Sequence, residues 1–240
     1  MKKIVILNGS YEKYGHTHFF IKKILSKLPK NKYEFSWIFL QDYSLEPLIK
    51  GIRHDTSYMN ITKNKHDDIY KIQKKVLLSD LFVIASPVYD HNISATLKFF
   101  LDKCSTWAHT LRLFGKPTVV LSTCQSNGFD TVTDYLCDII THMGGNIIAN
   151  ANAATLNQLF NKKWLDSVCT EISKRIIKYS NLPPTSNKWL ERYYQATKYF
   201  IKLRSKIEEK EYPEKTDEEV NFWKKRGMIP KKTFEDCISK

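Results

Sequence analysis

Long apolar runs and local cysteine clusters are both missing from this chain of 240 residues. No stretch approaches the roughly 18 apolar residues that a membrane-spanning helix needs, so no membrane span is expected. The N-terminal segment has an apolar run of only four residues, Ile4–Leu7, which leads into the turn Asn8-Gly9-Ser10. We interpret this run as a buried strand and not as a signal peptide. With no export signal, the expected compartment is the cytoplasm.

The five cysteines include no Cys-x-x-Cys pair, and the nearest two, Cys124 and Cys137, stand thirteen positions apart. This spacing argues against a structural zinc, an iron–sulfur cluster and a disulfide framework. We therefore expect no metal site and mostly buried free thiols in a reducing compartment.

Acidic residues are in the minority, because 38 Lys and Arg face 25 Asp and Glu for a formal net charge of +13. The excess is +9 in residues 1–180 and +4 in residues 181–240, so no segment is a dedicated basic arm. A lysine-rich solvated surface is the simplest interpretation, and a nucleic-acid or anionic-membrane surface is the alternative. The charge would also speed association with an anionic cofactor or substrate.

Short apolar runs alternate with helical periodicity over the first 150 residues. Five runs have strand character: Lys3–Leu7, Tyr33–Leu40, Leu81–Ala85, Pro117–Leu121 and Asn146–Ala149. The segments between them have helical spacing: Thr17–Leu28, Asp68–Leu78, Ser94–Trp107 and Phe129–His142. Buried strands that alternate with helices predict a parallel sheet covered on both faces. Right-handed crossovers then favour the doubly wound α/β topologies.

Strand signals end at about residue 160, and the rest of the chain has helical patterns. Trp164–Ile177 and Glu218–Arg226 are helix candidates, and Pro183-Pro184 lies after the first of them. Between them an apolar seam steps by 4 and 3, which predicts an amphipathic helix: Trp189, Tyr193, Ala196, Phe200, Leu203 and Ile207. The seam either packs on its own domain or forms a subunit contact. We expect one α/β domain over residues 1–180 and a helical C-terminal extension over residues 181–240.

The first strand-to-helix loop, residues 8–17, has the composition of an anion-binding nest. Gly9 and Gly15 permit unusual backbone angles, hydroxyls are present, and a helix start offers unpaired N–H groups suited to a phosphate. A Walker A loop is excluded, because five residues instead of four separate the glycines and His16 stands in place of the lysine. The GxGxxG fingerprint is also absent. The structural alternative is a capped helix start, with Thr17 or Ser10 as N-cap.

Two further loops leave the carboxyl ends of strands, where open parallel sheets bind ligands. Residues 85–94 contain Ser86-Pro87-Val88-Tyr89, a stiff turn able to support a flat aromatic ligand, and Ser94 can cap the next helix. Residues 122–128 supply hydroxyls and amides that suit the edge of a heteroaromatic ring. The three loops come after strands 1, 3 and 4, which are neighbours in the strand order 2-1-3-4-5.

Three sequence pieces resemble one known family. They are Gly9-Ser10 with Gly15-His16-Thr17, the strand and turn Asp80–Tyr89, and the helix Ser94–Lys103. They are similar, in order and spacing over about residues 1–150, to the flavodoxin-like NAD(P)H-dependent FMN reductases, relatives of the iron–sulfur flavoproteins. This resemblance implies a flavodoxin-like three-layer α/β sandwich with five parallel strands in the order 2-1-3-4-5. The region Leu45–Asp68 contains no cysteine, so we expect a flavoprotein without a cluster.

The resemblance also implies which residues hold FMN. The phosphate is expected on the first loop, at Ser10, Tyr11, Gly15, His16 and Thr17. The isoalloxazine is expected beside the second loop, at Pro87, Val88, Tyr89, Asp90 and Asn92. The third loop is expected to line its other side, at Ser122, Thr123, Cys124 and Gly128. The first loop departs from the family pattern, since Glu12-Lys13 replaces the usual arginine and His16 replaces asparagine.

Several of these residues have a plainer interpretation. Tyr89 could belong to the core, and Cys124 could be a small buried residue without a redox role. Asp102 follows Lys98 by four positions on one helix, and the resemblance implies a structural ion pair or a dimer contact there. His54, His66 and His91 lack metal-ligand spacing and are expected on the surface.

The resemblance implies an FMN-dependent oxidoreductase that passes hydride from NADPH or NADH to flavin N5 and on to a small organic acceptor. A quinone, a free flavin, a nitroaromatic or a pathway intermediate would qualify, and no protein residue is nominated as catalytic because the cofactor carries the chemistry. A homodimer or homotetramer is expected. The alternatives are a non-enzymatic flavodoxin-type electron carrier and a redox-responsive nucleic-acid-binding protein. The acceptor pocket is expected to draw on residues 41–65, the extension and a partner chain.

Overall fold

A computed structural model describes residues 1–45, 67–211 and 217–238 of the chain. Its sheet has five parallel strands in the order β2-β1-β3-β4-β5. The strands are β1 (Lys2–Asn8), β2 (Tyr33–Phe39), β3 (Leu81–Pro87), β4 (Pro117–Cys124) and β5 (Asn146–Ala154). The predicted fold class and strand order are therefore confirmed.

Helices cover both faces of the sheet and form the C-terminal region. Those in the described residues are α1 (His16–Leu25), α2 (Ile69–Leu77), α3 (Ala95–Lys103), α4 (Thr106–Thr110), α5 (Phe129–His142), α6 (Lys162–Ser180), α7 (Lys188–Glu211), α8 (Glu218–Lys225) and α9 (Glu235–Ile238). A 3₁₀ turn, Leu40–Asp42, lies after β2, and a π-helical turn, Thr155–Leu159, lies after β5. Across these ranges, no helix has the length and apolar character that crossing a bilayer requires.

Alternate residues of each central strand enter two different cores, as strands buried on both faces require. Ile4 and Ile6 of β1 pack with buried residues of α1 and α6. Val5 and Leu7 pack on the opposite face with buried residues of α2, α3 and α5. This arrangement is the predicted three-layer sandwich.

The predicted element boundaries were wrong at three places that matter for function. β3, β4 and β5 extend two, three and five residues beyond their predicted ends. The extra residues are polar or small, and strand pairing holds them where hydrophobic patterning gives no signal. The predicted helix Ser94–Trp107 is interrupted after Lys103, where Cys104 has non-helical angles, and resumes at Thr106.

The C-terminal extension has a small core of its own around Tyr194 and Trp223. Their rings stack with centroids 5.4 Å apart, and the Tyr194 hydroxyl donates to the Met228 carbonyl at 2.6 Å. Leu111 of the α/β part is buried in the same cluster. The extension therefore packs on the turn that leads into β4. The boundary of two domains at residue 180 stays a prediction.

Most of the predicted α7 seam is exposed in the part of the chain that the structure describes, whereas Tyr193 contacts the His142 ring and donates to Asp138 Oδ1 at 2.7 Å. The buried residues of α7 are instead Leu190, Tyr194 and Ile201, which lie on a neighbouring face of the helix. The exposed α7 stripe, as we call it, consists of Trp189, Tyr199, Phe200, Leu203 and Ile207. The helix has apolar residues on two faces, and the sequence pattern alone does not show which face is buried. Packing of Tyr194 against Trp223 buries the face that was not predicted. The interpretation that the predicted seam packs on its own domain was therefore wrong for the exposed positions and right for Tyr193.

Candidate functional site

Three loops meet at the carboxyl edge of the sheet. They come after β1, β3 and β4, and these strands are adjacent because β1 pairs with β3 and β3 pairs with β4. Parallel strands end at the same edge, so the three predicted binding segments share one surface.

Short-range hydrogen bonds shape the loop after β1. The Ser10 N–H donates to Asn8 Oδ1, and the Glu12 N–H donates to Ser10 Oγ, each at 3.1 Å. Asn and Ser side chains commonly fold a chain back in this way. A Cβ at Gly15 would lie 2.9 Å from Glu12 Cβ, so the loop closes tightly only because Gly15 has no side chain.

The N-terminus of α1 is open toward this loop. Gly15 is its N-cap residue and supplies no side chain. Within the described residues, the backbone N–H groups of His16, Thr17 and His18 have no protein acceptor. The amide nitrogen of Asn8 is also buried without a partner. Unpaired donors at the positive end of a helix favour an anion.

The alternative of a capped helix start was wrong. Ser10 Oγ accepts from Glu12, and the Thr17 hydroxyl pairs with the Thr123 hydroxyl at 2.7 Å. Neither hydroxyl meets a backbone N–H of the first turn of α1, so these N–H groups stay available.

Tyr11 and Tyr89 join the loops after β1 and β3. Their ring centroids are 5.8 Å apart, and the side chains are 52% and 42% exposed. Tyr89 also shares a hydrogen bond with Ser10. Burial, followed by the nearby Tyr11 and Glu12, raises the pKa of the Tyr89 hydroxyl, while the Ser10 bond opposes this. Tyr89 thus lies on the open edge and does not belong to the core.

A tight turn lies just beyond Tyr89. Tyr89 and Asn92 exchange two backbone hydrogen bonds of 2.9 Å each. Asp90 and His91 between them have φ angles of +48° and +58°. Positive φ at both central residues matches a type I′ turn, and Asp and His tolerate it better than most residues. The turn projects from the edge beside the two tyrosines.

Thr123 at the end of β4 contacts both other loops. Its hydroxyl pairs with Thr17, and its carbonyl accepts from the Val88 N–H at 2.8 Å. Ser122 beside it is fully buried, whereas Pro87 is half-buried. The three loops are therefore connected by hydrogen bonds instead of by a shared apolar core.

The segment after β4 packs beneath the turn at residues 89–92. Gly128 has a φ of +78°, and a Cβ there would lie 2.9 Å from His91 Nδ1 and 2.9 Å from Val88 Cγ1. Cys124 is buried, and burial, with a smaller effect of Asp130, raises the pKa of its thiol. This environment fits the interpretation of Cys124 as a small buried residue.

The segment after β5 also contributes to this edge, which the sequence did not predict. Thr155, just beyond β5, donates to the Cys124 carbonyl at 2.9 Å and lies 3.3 Å from His16 Nδ1. The exposed Phe160 ring meets the His16 ring edge-on at 6.2 Å. The predicted β5 stopped at Ala149, so Thr155 was not recognised as a residue at the end of a strand. Because β5 is next to β4 in the predicted strand order, a longer β5 would have placed Thr155 at the site.

The remaining polar candidates are structural or lie elsewhere. Lys98 and Asp102 form the expected ion pair on α3, and Ser94 caps that helix by accepting from Leu97 N–H at 3.3 Å. His54 and His66 fall outside the described residues, as does most of the loop 41–65 that was assigned to the acceptor pocket. Among residues that the structure describes, no group of three His, Cys, Asp or Glu side chains could hold a metal ion.

The fold and this edge define a doubly wound α/β protein with an anion nest next to an aromatic turn. The sequence pattern of NADPH-dependent FMN reductases matches residues 2–158. The chain belongs to this family, which confirms the predicted resemblance. An NAD(P)H-dependent oxidoreductase that contains FMN is the class of enzyme that this family represents.

Curated relatives resemble part of the chain. YwqN of Bacillus subtilis, which carries the provisional name of an NAD(P)H-dependent FMN-containing oxidoreductase, is 28% identical over 110 residues, or 46% of this chain and 54% of YwqN. An iron–sulfur flavoprotein of Archaeoglobus fulgidus is 30% identical over 101 residues, or 42% of this chain and 48% of the relative. The matched regions thus span about half the length of these curated relatives.

Solved structures share the fold at low identity. RosB, crystallised with the intermediate 8-demethyl-8-formylriboflavin-5'-phosphate, gives a TM-score of 0.61 at 14% identity, with 90% of each chain covered. An FMN-dependent NADH-azoreductase of Bacillus anthracis, in complex with FMN, gives 0.56 at 16% identity, covering 75% of this chain and 100% of its own. At these identities the likeness establishes the fold alone.

Proposed function

We propose that this protein is an FMN-dependent oxidoreductase that passes hydride from NADPH or NADH through the flavin to a small organic acceptor. The observation that carries the proposal is the open N-terminus of α1, where the N–H groups of His16, Thr17 and His18 lack acceptors within the described part of the chain. A phosphate monoester is a dianion near neutral pH, and three convergent amides at a positive helix end suit it.

The residues of the first loop fit an FMN phosphate. Ser10 and Thr17 present buried hydroxyls at the nest, and the missing Cβ of Gly15 keeps the cradle open. His16 is held by Thr155, whose hydroxyl oxygen lies 3.3 Å from His16 Nδ1, and this contact fixes the ring at the start of α1. Tyr11 forms the outer wall. The phosphate charge would be stabilised mainly by main-chain N–H donors, because the Lys13 ammonium in the same loop is paired with Asp42.

The second and third loops fit a flat ring system. Pro87, Val88 and Tyr89 form a stiff wall, and the turn residues Asp90 and Asn92 offer polar atoms at its rim. On the other side lies the segment with Ser122, Thr123, Cys124 and Gly128. When bound, FMN supplies the hydride-accepting atom N5. The chain's own residues hold the phosphate, orient the ring and leave one face open.

The acceptor is proposed only as a chemical class: a quinone, a free flavin, a nitroaromatic or a metabolic intermediate of similar size. Tyr11 and Tyr89 are both about half exposed, so aromatic surface is available beside the ring site. Such surface favours a planar acceptor that stacks.

The first test is the absorption spectrum of the purified protein, before and after incubation with FMN. We expect flavin bands, and rapid anaerobic loss of the oxidised flavin absorbance when NADPH or NADH is mixed in. A colourless protein that takes up no FMN would overturn the proposal. A yellow protein that neither nicotinamide nucleotide bleaches would favour the electron carrier instead.

We also propose that the protein is a homodimer or homotetramer. The exposed α7 stripe provides an apolar surface, with Phe200 60% exposed. Sedimentation equilibrium of the wild type and of Phe200→Glu tests this: the substitution is expected to yield monomers, and Lys202→Glu on the same helix is the control. A wild-type monomer would refute it.

A reducing compartment such as the cytoplasm completes the proposal. All five cysteines are free thiols, and Cys104, Cys124 and Cys169 are buried. Disulfides are uncommon where thiols are kept reduced.

A further inference from the structure

A second cavity lies at the amino edge of the sheet, opposite the site proposed for FMN. It has a volume of about 530 Å³ and is lined by the starts of β1 and β4, the residues before β3, the turn before β4, the segment after α6 and the end of α8. Ligand cavities commonly have this size. The seven residues of β1 separate the two edges by roughly 20 Å.

The cavity wall is strongly basic. Lys2, Arg112, Lys116 and Arg226 line it, whereas Asp80 is the single carboxylate among its described lining residues. Asp80 is already engaged, since it accepts from Lys2 Nζ at 3.1 Å and from the Lys3 N–H at 2.7 Å. Lys116 and Arg226 therefore bring positive charge to the wall beyond what this carboxylate, already held by Lys2 and Lys3, compensates.

Lys116 has the least solvent contact of these cations, with 9% exposure. Its ammonium donates to the Ser79 carbonyl, the one protein acceptor it has among the described residues. An ammonium carries three donors, so two remain unused. Burial lowers the pKa of Lys116 to about 8, although Asp80 opposes this effect. An anion in the cavity would satisfy the free donors and stabilise the charge.

The cavity also has a shaped aromatic wall. Phe114 has a φ of +45°, and Leu111 and Gly115 in the same turn have φ of +44° and +71°. Positive φ is unfavourable for Phe and Leu, and such strain is often kept where a site needs it. The Arg226 guanidinium lies over the Phe114 ring at 5.1 Å, which fixes the direction of its donors.

We propose that this cavity binds a small organic dianion, with a phosphate held by Lys116 and Arg226 and an apolar body against the apolar part of the lining, which includes Leu113, the edge of Phe114 and Leu182. A nucleoside monophosphate represents this class. Several convergent cations select a doubly charged group over a neutral ligand, and Arg226 can bind two phosphate oxygens at once. Since the cavity lies a full strand length from the FMN site, the proposal does not depend on the proposed function.

The test is calorimetric titration of the full-length protein with AMP, adenosine and inorganic phosphate. The protein is first loaded with FMN to fill the first nest, and gel filtration then removes unbound FMN so that none competes for the second cavity. We expect one AMP site and at least tenfold weaker binding of adenosine and of phosphate alone. Equal binding of adenosine would overturn the anion site, and equal binding of phosphate would overturn the role of the Phe114 wall. Absence of AMP binding would overturn the proposal entirely.

Variants locate the site. Lys116→Met should weaken AMP binding at least tenfold, and Arg226→Ala, at an exposed position, should weaken it several-fold in a protein that folds normally. Lys225→Ala is the matched control, because Lys225 is an exposed neighbour on the same helix end that does not line the cavity. AMP binding that survives both Lys116→Met and Arg226→Ala refutes the site.

The pH dependence gives an independent readout. Asp80, Lys2, Arg112 and Arg226 are the charged groups that face the cavity with Lys116. The pKa of free Lys116 is about 8. AMP affinity should therefore fall from pH 7 to pH 9.5, and the fall should be absent in Lys116→Met. A wild-type affinity that is flat over this range would contradict a phosphate contact with Lys116.

Discussion

The two edges of one sheet offer an anion two different environments. At the carboxyl edge the donors are main-chain N–H groups of His16, Thr17 and His18, shaped by a glycine and short hydrogen bonds. At the amino edge the donors are long cationic side chains that converge from distant segments, Lys2, Arg112, Lys116 and Arg226 among them. The first environment is built by local backbone geometry, and the second by tertiary packing.

This difference determines how each edge responds to change. Main-chain donors persist through most substitutions, so the carboxyl edge is sensitive mainly where a new Cβ alters the backbone path. Side-chain donors are lost one at a time, and their charge depends on pH and burial. Substitutions can alter the backbone path, a side-chain charge or the packing of the C-terminal extension on the α/β domain. Each can therefore test whether a change at one edge affects stability or binding at the other.

The largest expected effect is a loss of folding stability on substitution of Gly144, in the turn that supports the amino edge. Gly144 has a φ of +87°, and a Cβ there would lie 2.5 Å from the Leu111 carbonyl oxygen. Gly144→Ala should therefore lower the free energy of unfolding by about 3 kcal/mol, through left-handed strain and steric overlap together. Urea denaturation measures this loss.

Gly227→Ala is the matched control for that steric overlap. Gly227 also has positive φ, +62°, but no atom of the described residues lies within 4 Å of a Cβ built there. Only backbone strain applies at this position, so the free energy of unfolding is expected to fall by about 1 kcal/mol. Equal losses for the two variants would show that the contact between Gly144 and Leu111 does not constrain the turn.

A smaller effect on folding stability is expected from the titration of the buried Lys116. Burial lowers its folded pKa from 10.5 to about 8, so the unfolded chain binds more protons between these values. Stability should therefore rise as pH increases from 8 toward 10.5, relative to Lys116→Met, by on the order of 2 kcal/mol. Urea denaturation of both proteins in phosphate-free buffer checks this. A constant difference between them across pH 7–10 would contradict a buried, poorly compensated ammonium.

The contrast between the edges also explains what could be predicted from sequence. Loops after strands are contiguous, so Gly9-Ser10 and Ser86-Pro87-Val88-Tyr89 could be assigned to one edge before any coordinates. Lys116 and Arg226 lie 110 positions apart, and no local pattern joins them. The contribution of Thr155 was missed because the polar end of β5 lacks a hydrophobic signal. The choice of the buried α7 face depended on Trp223, a residue beyond the helix.

At the carboxyl edge, Gly15→Ala should weaken FMN binding about tenfold. The added Cβ would lie 2.9 Å from Glu12 Cβ and push the loop away from the helix start, which weakens at least one charge-assisted hydrogen bond. Fluorescence titration of FMN with the apoprotein measures the affinity.

The double variant Glu12→Gly with Gly15→Ala provides the rescue. It removes the Glu12 Cβ, and the next contact, the Glu12 carbonyl oxygen, is at an acceptable 3.5 Å. The backbone N–H that donates to Ser10 Oγ is retained. Affinity should return toward that of Glu12→Gly alone. If the double variant stays as weak as Gly15→Ala, the steric account of the nest is wrong.

The smallest effect on stability is expected at the contact between α4 and α8, where the C-terminal extension packs near the amino edge. His109 Nδ1 lies 2.8 Å from Glu219 Oε1, and this contact joins α4 to α8, the helix that Arg226 follows. The hydrogen bond to Glu219 raises the pKa of His109 above 6.5, although burial opposes it. The stabilisation is therefore complete below pH 6.5 and is lost as pH rises through the raised value. Since the His109 side chain is 61% exposed, we expect no more than about 1 kcal/mol.

Hydrogen exchange of α8 at pH 6 and pH 8.5, corrected for the intrinsic rate, measures this local effect. Wild-type protection should fall at the higher pH, whereas His109→Gln should be equally protected at both. FMN affinity, which the proposed function assigns to the opposite edge, should be the same in the two proteins. A loss of FMN affinity in His109→Gln would show that the edges are coupled, because His109 and Glu219 contact none of the three loops at the carboxyl edge.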